Sequence, residues 1–338
     1  MIAASLTPRE APPRWQVELA AAYTDPAELL HALDLDPAWL PAARRAAAAF
    51  PLRVPRGFVA RMRKGDAHDP LLRQVLPLAE ELVAAPGYVA DPVGDLAAMP
   101  VPGVLHKYRG RALLVATGAC GVHCRYCFRR EFPYGAASAG RGAWDAALDY
   151  LRATPEVSEV ILSGGDPLAL SDRRLATLLA ALDAIPHLQR LRIHSRQPVV
   201  LPARVDGGLL AVLDATRLAT VLVVHANHPH ELDAEVAAAL APLRRRGITL
   251  LNQSVLLAGV NDDAAVLAEL SERLFAAGVL PYYLHQLDAV RGAAHFAVAD
   301  ARALAIMDTL RAQLPGYLVP RLVREVAGAP AKTPVVAR

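Results

Sequence analysis

Short apolar runs rich in β-branched residues recur through residues 112–287 and constrain the fold more than any other feature. The runs are ALLVAT (112–117), EVILSG (159–164), LRIHSR (191–196), TVLVVHAN (220–227), TLLNQSVLL (249–257) and YYLHQL (282–287). Their hydrophobicity is continuous rather than alternating, which is typical of strands covered on both faces. The runs therefore predict a parallel sheet.

Helix-like segments fill the gaps between these strands. They are WDAALDYLRAT, SDRRLATLLAALDAI, GGLLAVLDAT, ELDAEVAAALAPLRRRG and DDAAVLAELSERLFAAG. Two of them close on Gly247 and Gly278, which are typical C-terminal caps. Six strand-then-helix units predict an α/β fold, either a βα barrel or a doubly wound sheet. Polar groups at the ends of most strands favour the barrel, because active sites gather at that edge.

Residues 1 to about 100 have a different texture. DPAELLHALDL and PAWLPAARRAAAAF carry helix-period apolar faces, whereas FPLRVPRGF and LAAMPVPGVLH are connections broken by proline. We expect an N-terminal helical extension over 1–100 and the βα core over 101–338.

Composition limits the partners and the compartment. A formal net charge of +3, with arginines scattered along the chain, does not favour a nucleic-acid partner. No apolar run approaches the ~20 residues of a membrane span. The start, MIAASLTPREAPPRWQ, has prolines and charges where a signal peptide needs an apolar stretch. We expect a soluble, cytoplasmic protein with no membrane partner.

All three cysteines lie within CGVHCRYCFRR (120–130). An odd, clustered set argues against disulfides and for a reduced site in the cytosol. A structural zinc site usually needs four ligands, so His123, His225, His228 or another distant group would have to complete it. A three-thiolate iron–sulfur cluster leaves one iron open to a small ligand, and the cysteine count favours this interpretation. Zinc and free buried thiols remain alternatives at this point.

The spacing CxxxCxxC after the first strand of a six-unit series resembles the radical S-adenosylmethionine (SAM) enzymes. That resemblance implies a partial (βα)6 radical SAM barrel in which Cys120, Cys124 and Cys127 hold a [4Fe–4S] cluster. The open iron of such a cluster chelates SAM. The arginines in CRYCFRR narrow the resemblance to the lysine 2,3-aminomutase family.

The resemblance extends over nearly the whole chain. The matching stretches are LLRQVLP, PGVLHKYRGRALL, CRYCFRREFPY, SGGDPL, LRIHSRQPVVLPAR, LNQSVLLAGVND, PYYLHQLDAVRGAAHF, GYLVPRLVREVAG and PAKTPV. Together they are similar to the short subgroup that makes β-lysine for elongation factor P. The resemblance implies an isomerase that converts L-lysine to (R)-β-lysine with SAM and pyridoxal 5′-phosphate (PLP). It also implies an electron donor such as flavodoxin or ferredoxin, and a separate ligase that attaches the product to the factor.

The PLP site is implied at two places. Lys332 in GAPAKTP matches the family's PLP lysine, and Lys107, Tyr108 and Arg111 in HKYRGR match its phosphate-binding positions. Taken alone, these residues would be a solvated tail lysine and a basic turn. The larger enzymes carry a longer glycine run before the lysine, where this chain has the stiffer Pro330.

SAM contacts are implied at strand ends. The segment SGGDP (163–167) resembles the motif that holds the SAM amino group, although Gly-Gly-Asp also makes ordinary turns. The implied SAM residues are Gly164, Gly165, Asp166, Ser195, Arg196 and Gln253.

The two ends of the substrate have separate candidates. Arg129 matches the arginine that binds the lysine carboxylate, and Arg130 is a second candidate beside it. Asp288 and Glu325 match the acidic residues that bind the ε-ammonium. The larger enzymes commonly have aspartate where Glu325 stands. For either acid alone, an exposed surface charge is the alternative.

Competing functions remain. A free-lysine 2,3-aminomutase of catabolism or osmolyte synthesis would use the same chemistry. The larger enzymes of that kind continue past the PLP lysine and carry extra cysteines, whereas this sequence ends at Arg338 with three. A glutamate-using relative is disfavoured because an acidic pocket repels a γ-carboxylate. A non-catalytic, metal-stabilised binding protein is the alternative from another class.

Overall fold

The structure is a computed structural model that describes residues 11–137 and 144–337. Most of the segment considered for a signal peptide, residues 1–10, lies outside the described residues, as does Arg338. Five helices precede the sheet: α1 Arg14–Ala20, α2 Pro26–Ala32, α3 Leu40–Ala49, α4 Arg56–Val59 and α5 Pro70–Arg73. The predicted helices in DPAELLHALDL and PAWLPAARRAAAAF are confirmed as α2 and α3.

One sheet organises the rest of the described chain. Its strands are β1 Val104–Tyr108, β2 Arg111–Thr117, β3 Glu159–Gly164, β4 Arg190–Ser195, β5 Ala219–Val224, β6 Thr249–Val255, β7 Leu280–His285, β8 Arg321–Arg324 and β9 Thr333–Pro334. All six predicted strands are present as β2 to β7, with ends that shift by up to three residues.

The strands follow one another in chain order across the sheet. Those from β2 to β8 are parallel, and their register sets Ile161 of β3 between Leu113 of β2 and Arg192 of β4. The edge strands β1 and β9 pair antiparallel with β2 and β8. Because the strand order never reverses, the sheet is a barrel type rather than a doubly wound one. It is open between β1 and β9, which makes the barrel partial, as predicted.

Helices connect the parallel strands and cover the outer face of the sheet. They are α6 Tyr134–Ala137, α7 Asp145–Arg152, α8 Asp172–Asp183, α9 Gln197–Val200, α10 Gly207–Asp214, α11 Ala234–Arg245, α12 Ala264–Ala276 and α13 Asp300–Gln313. Leu175, Leu178 and Leu182 of α8 are fully buried in the main core against the sheet. Gly247 and Gly278 follow α11 and α12 with φ of +76° and +79°, so the predicted caps are confirmed.

A second apolar core joins the N-terminal helices to the barrel. Trp15 and Phe58 belong to it together with Val122 of the cysteine loop and Val200 after β4. The extension therefore packs directly on the edge of the barrel where the cysteines lie. The domain division near residue 100 stays a prediction. Among the described residues, no helix is both long enough and apolar enough to cross a membrane.

Several short helices, three strands and the long helix α13 were not predicted. The strand β1 includes the charged sequence HKY, β8 is only four residues long, and β9 is a two-residue pairing. Periodicity is too weak in such short or charged strands to reveal them. The helix α13 is different, because Ala303, Ile306, Met307 and Leu310 are buried at helix spacing and could have been recognised.

The two ends of the sheet approach each other across its opening. Tyr108 closes β1, and its hydroxyl donates to Glu325 Oε1, just after β8, at 2.6 Å. Side chains rather than backbone ladder bonds span this seam, and residues predicted for the PLP and substrate sites lie beside it.

Candidate active site

The cysteine loop follows β2 and is held by the N-terminal extension. Its three thiols are free and only partly exposed. The loop backbone donates from His123 N to Arg53 O and from Arg125 N to Gln74 O, both at 2.9 Å. Residues far away in sequence therefore fix the path of the loop on its outer side.

A buried ion triad completes this support. The guanidinium of Arg125 is fully buried and donates to both oxygens of Glu81, at 2.8 and 2.6 Å. Arg130 Nη2 donates to Glu81 Oε2 at 2.7 Å. The two arginines come directly after Cys124 and three residues after Cys127, so one carboxylate ties both sides of the loop. Arg130, the second candidate for the substrate carboxylate, has its guanidinium at Glu81.

The thiols of Cys120, Cys124 and Cys127 lie on the one loop that follows β2. Among residues 11–137 and 144–337, no three His, Cys, Asp or Glu side chains converge closely enough to hold one metal ion. In an iron–sulfur cluster each thiolate binds a different iron, so its sulfurs need not converge on one point. Arg196 Nη1 donates to Cys124 Sγ at 2.8 Å. Burial raises the pKa of Cys127 to about 11 and that of Cys120 well above its ordinary value. These thiols would release their protons on binding a metal.

The ends of β3 and β4 form a tight corner beside the cysteines. At Gly164, with φ of +108°, a Cβ atom would lie 2.7 Å from Thr117 O, so only glycine fits. Asp166 is buried and accepts from Ser195 Oγ at 2.7 Å and from Arg196 N at 2.8 Å. Burial raises the pKa of Asp166 despite these hydrogen bonds. The predicted SAM residues of both strands therefore lie in one cluster.

Arg196 is the centre of a buried polar network that the sequence did not predict. Its Nη2 donates to Gln74 Oε1 at 2.6 Å and to Glu231 Oε2 at 3.0 Å. Glu231 is fully buried and also accepts from Asn227 N. In the described part of the chain, Arg196 Nε and both amide atoms of Gln197 are buried without a hydrogen-bond partner. Such unpaired atoms fit a site that receives a polar group.

Gln253 lies in the barrel interior beside three histidines. Its amide nitrogen is 2.7 Å from His225 Nε2, and the His225 ring is 6.1 Å from that of His194. Burial lowers the pKa of His225 to about 3 and lowers the pKa values of His194 and His285 well below the ordinary value. These imidazoles are neutral. The stretches HSR, HAN and HQL marked polar strand ends, and the sequence offered His225 only as an alternative zinc ligand and gave no role to His194 or His285.

The predicted PLP lysine belongs to a chain of hydrogen bonds across the seam. Lys332 Nζ donates to Glu325 Oε2 at 2.6 Å, and Lys107 Nζ is 3.5 Å from Glu325 Oε1. The Arg111 guanidinium lies 4.5 Å from the centre of the Tyr108 ring. Burial acts to raise the pKa of Glu325, but the charges of Lys332 and Lys107 and the hydrogen bonds from Lys332 and Tyr108 together outweigh it and leave that pKa below its usual range.

Asp95 continues this chain to the predicted carboxylate site. Its Oδ1 is 2.7 Å from Lys107 Nζ, and its Oδ2 is 2.7 Å from Arg129 Nε. Arg129 Nη1 donates to Ser163 Oγ at 3.2 Å. Sequence reasoning missed Asp95, and the only signal was an acid in a proline-containing connection, DPVGD.

Asp288 follows β7 and faces the same charges. Burial raises the pKa of Asp288 to about 7, and the positive charges of Lys332 and Lys107 act against that rise while Glu325 adds to it. Both predicted acids are therefore influenced by the charge of Lys332, and Glu325 also accepts a hydrogen bond from it. The residues predicted for PLP and for substrate are brought together, and those predicted for SAM lie near the cysteines except Gln253, which lies beside His225.

A parallel (βα)6 partial barrel with three cysteines after its first parallel strand defines a radical SAM type of enzyme. Three curated relatives refine that class, and each bears the name L-lysine 2,3-aminomutase. The protein from Escherichia coli is 53% identical, over 95% of this chain and 94% of that protein. The protein from Haemophilus influenzae is 50% identical, with 94% of each chain covered. The protein from Clostridium subterminale is 36% identical, over 80% of this chain and 65% of that protein. This chain belongs to the L-lysine 2,3-aminomutase family and is an isomerase.

Solved structures are more distant. A radical SAM methyltransferase from Sphaerobacter thermophilus has a TM-score of 0.43 and 18% identity, over 65% of this chain and 68% of that chain. Streptococcus suis SuiB bound to S-adenosylmethionine has a TM-score of 0.46 and 13% identity, over 69% and 54%. No protein-family model matches the chain. The family membership excludes the non-catalytic binding protein that the cysteine count alone had left open.

Proposed function

We propose that this protein converts L-lysine to β-lysine by moving the amino group from C2 to C3. The observation that carries the proposal is the single charged network of Lys332, Glu325, Lys107, Asp95 and Arg129 beside the cysteine loop. Arg129 at one end of the network and the carboxylate of Glu325 near the other match a substrate with a carboxylate at one end and an ammonium at the other. The names of the curated relatives support the same substrate.

The cysteines would hold a [4Fe–4S] cluster. When bound, that cluster and SAM supply a carbon-centred oxidant strong enough to take the unactivated hydrogen from C3. The three thiols are the protein ligands, and the Arg196 hydrogen bond to Cys124 Sγ orients one of them. An electron donor such as flavodoxin or ferredoxin would reduce the cluster.

SAM would bind at the strand ends next to these cysteines. The close approach at Gly164 and the unpaired buried atoms of Arg196 and Gln197 support a polar ligand there. Asp166 and Ser195 would shape this corner, since each is hydrogen-bonded to the other. The remaining two residues proposed for SAM are Gly165 and Gln253.

PLP would bind at the seam. When bound, PLP supplies a conjugated π-system through which an amino nitrogen can migrate. Lys332 would attach it covalently, and Lys107, Tyr108 and Arg111 would lie around its phosphate. The stacked Arg111 and Tyr108 side chains give that end a fixed positive charge.

The substrate would lie between Arg129 and the two acids. Glu325 already holds a primary ammonium, that of Lys332, at 2.6 Å. When Lys332 is bound to PLP, Glu325 is free to accept the ε-ammonium of the substrate, which has the same chemistry. Asp288 would be the second acceptor, and Arg129 would donate to the carboxylate.

The physiological destination is a separate part of the proposal. We propose that the (R)-product is attached to a lysine of elongation factor P by a separate ligase in the cytoplasm. The motifs shared with the short subgroup support this destination. Deleting the gene should lower the mass of the modified factor by one β-lysyl group. An unchanged mass would refute this destination and favour free β-lysine production.

The chemistry is tested with isotopically labelled L-lysine. Oxygen-free protein with iron, sulfide, SAM, PLP and a strong reductant should yield labelled β-lysine, identified by mass spectrometry and resolved on a chiral column. Reactions without PLP, or with L-glutamate in place of lysine, are the controls. A protein that carries its cluster and cleaves SAM but forms no β-lysine would refute the proposed reaction.

A further inference from the structure

Asp95 is a buried carboxylate shared by two cations that are proposed to bind two different anions. It is 2% exposed, and its two oxygens each lie 2.7 Å from a positive group, Lys107 Nζ and Arg129 Nε. Its own backbone N donates to Asp91 Oδ1 at 2.8 Å, and Lys107 Nζ also donates to Val93 O at 2.7 Å. The turn that carries Asp95 is therefore fixed from both sides.

The contacts of Arg129 determine which of its edges can reach a ligand. Asp95 occupies Nε and Ser163 Oγ accepts from Nη1 at 3.2 Å. Within residues 11–137 and 144–337, Nη2 has no hydrogen-bond acceptor, and it is not among the buried unpaired atoms. The guanidinium is thus held along one edge and open at its end, where a carboxylate can bind Nη1 and Nη2 together.

We propose that Asp95 is a positioning residue that sets Arg129 for the substrate carboxylate and Lys107 for the PLP phosphate at the same time. This inference rests on the proposed function. Burial acts to raise the pKa of Asp95, but Arg129 and Lys107 outweigh it, so the carboxylate stays ionised. One carboxylate pairs with both cations and fixes the distance between the two proposed anion sites.

Removing this charge would disturb more than one contact. Lys107 already lies 3.5 Å from Glu325 Oε1, and without Asp95 that carboxylate is its remaining anionic neighbour among the described residues. A shift of Lys107 toward Glu325 would weaken the binding of the substrate ammonium by Glu325. Arg129 would lose its partner at Nε and rotate. Both ends of the substrate would then bind less well.

The opposite role is a competitor. Asp95 would then occupy Arg129 only until the substrate carboxylate displaces it, and its removal would tighten substrate binding. The two roles predict opposite changes in the KM for lysine, so one variant distinguishes them.

The test compares Asp95→Ala with Asp95→Asn. Asp95→Ala should raise the KM for lysine about tenfold or more, with a smaller change in kcat, because a buried charge pair is broken. A small pocket open to solvent is lined by Asp95 and Arg129, so added formate can reach the vacated space. Formate should lower the raised KM of Asp95→Ala part of the way toward the wild-type value. It should not do so in Asp95→Asn, whose amide fills the space.

Glu131→Gln is the matched control. Glu131 lines the same pocket, but its carboxylate pairs with Arg291 at 2.7 Å instead of the two site cations. Its KM should be unchanged, and formate should have no effect on it. A change equal to that of Asp95→Ala would assign the effect to the pocket wall and overturn the inference.

Ligand-free protein gives a second readout. Formate should raise the unfolding midpoint of Asp95→Ala but not of wild type or Asp95→Asn, and PLP titrated by absorbance should bind Asp95→Ala more weakly. An unchanged or lower KM, or a folded Asp95→Ala without response to formate, would overturn the inference. If Asp95→Ala does not fold, the isosteric Asp95→Asn still has to raise KM. Wild type that forms no β-lysine would refute the proposed function, while the midpoints would still test Asp95.

Discussion

The support of the cysteine loop and the charged network at the seam are both buried and ionic, yet their charges have different partners. At the loop, Glu81 forms ion pairs with Arg125 and Arg130, and none of the three is proposed to contact a ligand. At the seam, Glu325 forms ion pairs with Lys332 and Lys107, and all three are proposed to contact a ligand. We expect the first set to stay paired, and the second to exchange its partners when the proposed ligands bind.

This difference separates stability from binding. A permanently paired buried triad makes the loop rigid, and breaking it leaves uncompensated charge in the interior. An exchangeable network keeps the ligand-free protein neutral where ligands will later supply the opposite charges. Substitutions in the first set should therefore lower stability, and those in the second should lower activity with little change in folding.

The largest effect on turnover is expected from Lys332→Arg. Arginine keeps the positive charge beside Glu325 but cannot bond covalently to PLP. Turnover of lysine should fall at least about a hundredfold, which is what misplacing a reacting group commonly costs. Iron content and the unfolding midpoint should stay at wild-type values. Turnover within a few-fold of wild type would show that Lys332 is not the PLP lysine.

Glu81→Gln should affect stability instead. The neutral amide leaves two buried guanidiniums without a counter-charge, so we expect a loss of about 3 kcal/mol in the free energy of unfolding. Urea unfolding followed by circular dichroism measures it. The control is Glu80→Gln at the neighbouring exposed position, which should change little. Equal losses in the free energy of unfolding would mean that the buried triad at the loop contributes no more to stability than an exposed residue does.

A pH effect is expected at Asp288. Because burial raises its pKa to about 7, Asp288 is neutral below that pH and holds an ammonium less well. The kcat/KM for lysine should fall about tenfold between pH 8 and pH 6. Asp288→Asn should have a lower kcat/KM without this fall, since it cannot ionise. A wild-type kcat/KM that stays constant between pH 6 and pH 8 would contradict the proposed binding of the ε-ammonium by Asp288.

The same pKa gives a stability prediction with a definite sign. The carboxyl of Asp288 titrates near 7 in the folded protein, above its ordinary value of 3.8, so the folded state holds the proton more tightly. Its contribution to stability is present below 3.8 and is lost as pH rises through 7. Ligand-free Asp288→Asn should therefore gain stability relative to wild type as pH rises across that range. Thermal midpoints at several pH values would measure this trend.

The smallest effect is expected at a surface pair on α13. Arg311 and Asp308 lie 2.6 Å apart, and both side chains are more than half exposed. Arg311→Ala should change the free energy of unfolding by less than about 0.5 kcal/mol. A loss as large as that of Glu81→Gln would mean that the contribution of an ionic contact to the stability of this protein does not depend on its burial.

Much of the fold follows from the sequence. Continuous apolar runs predicted β2 to β7, and amphipathic segments closed by Gly247 and Gly278 predicted helices between them, because burial on both faces leaves a strong local signature. The edge strands were not predicted because their residues, such as Lys107 and Tyr108, lie at the seam instead of being buried on both faces of the sheet.

The site was less predictable for a related reason. Cysteine spacing and family resemblance named the residues proposed to bind ligands, but Glu81, Asp95 and Glu231 lie in stretches without distinctive spacing. Each gains its importance from a partner that is distant in the chain: Glu81 from Arg125, Asp95 from Arg129, and Glu231 from Arg196. Local pattern cannot reveal a pairing that only the folded chain brings about.

The seam has a consequence for how the protein is made. A ribosome releases β1 with Tyr108 long before Glu325 and Lys332, and the hydrogen bond from Tyr108 to Glu325 joins these segments. The parallel strands can pair in order as they emerge, but the lysine pocket has only one wall until the last residues are free. A nascent chain thus acquires its shape well before its chemistry, and a ribosome that stalls late would leave a folded but incomplete enzyme.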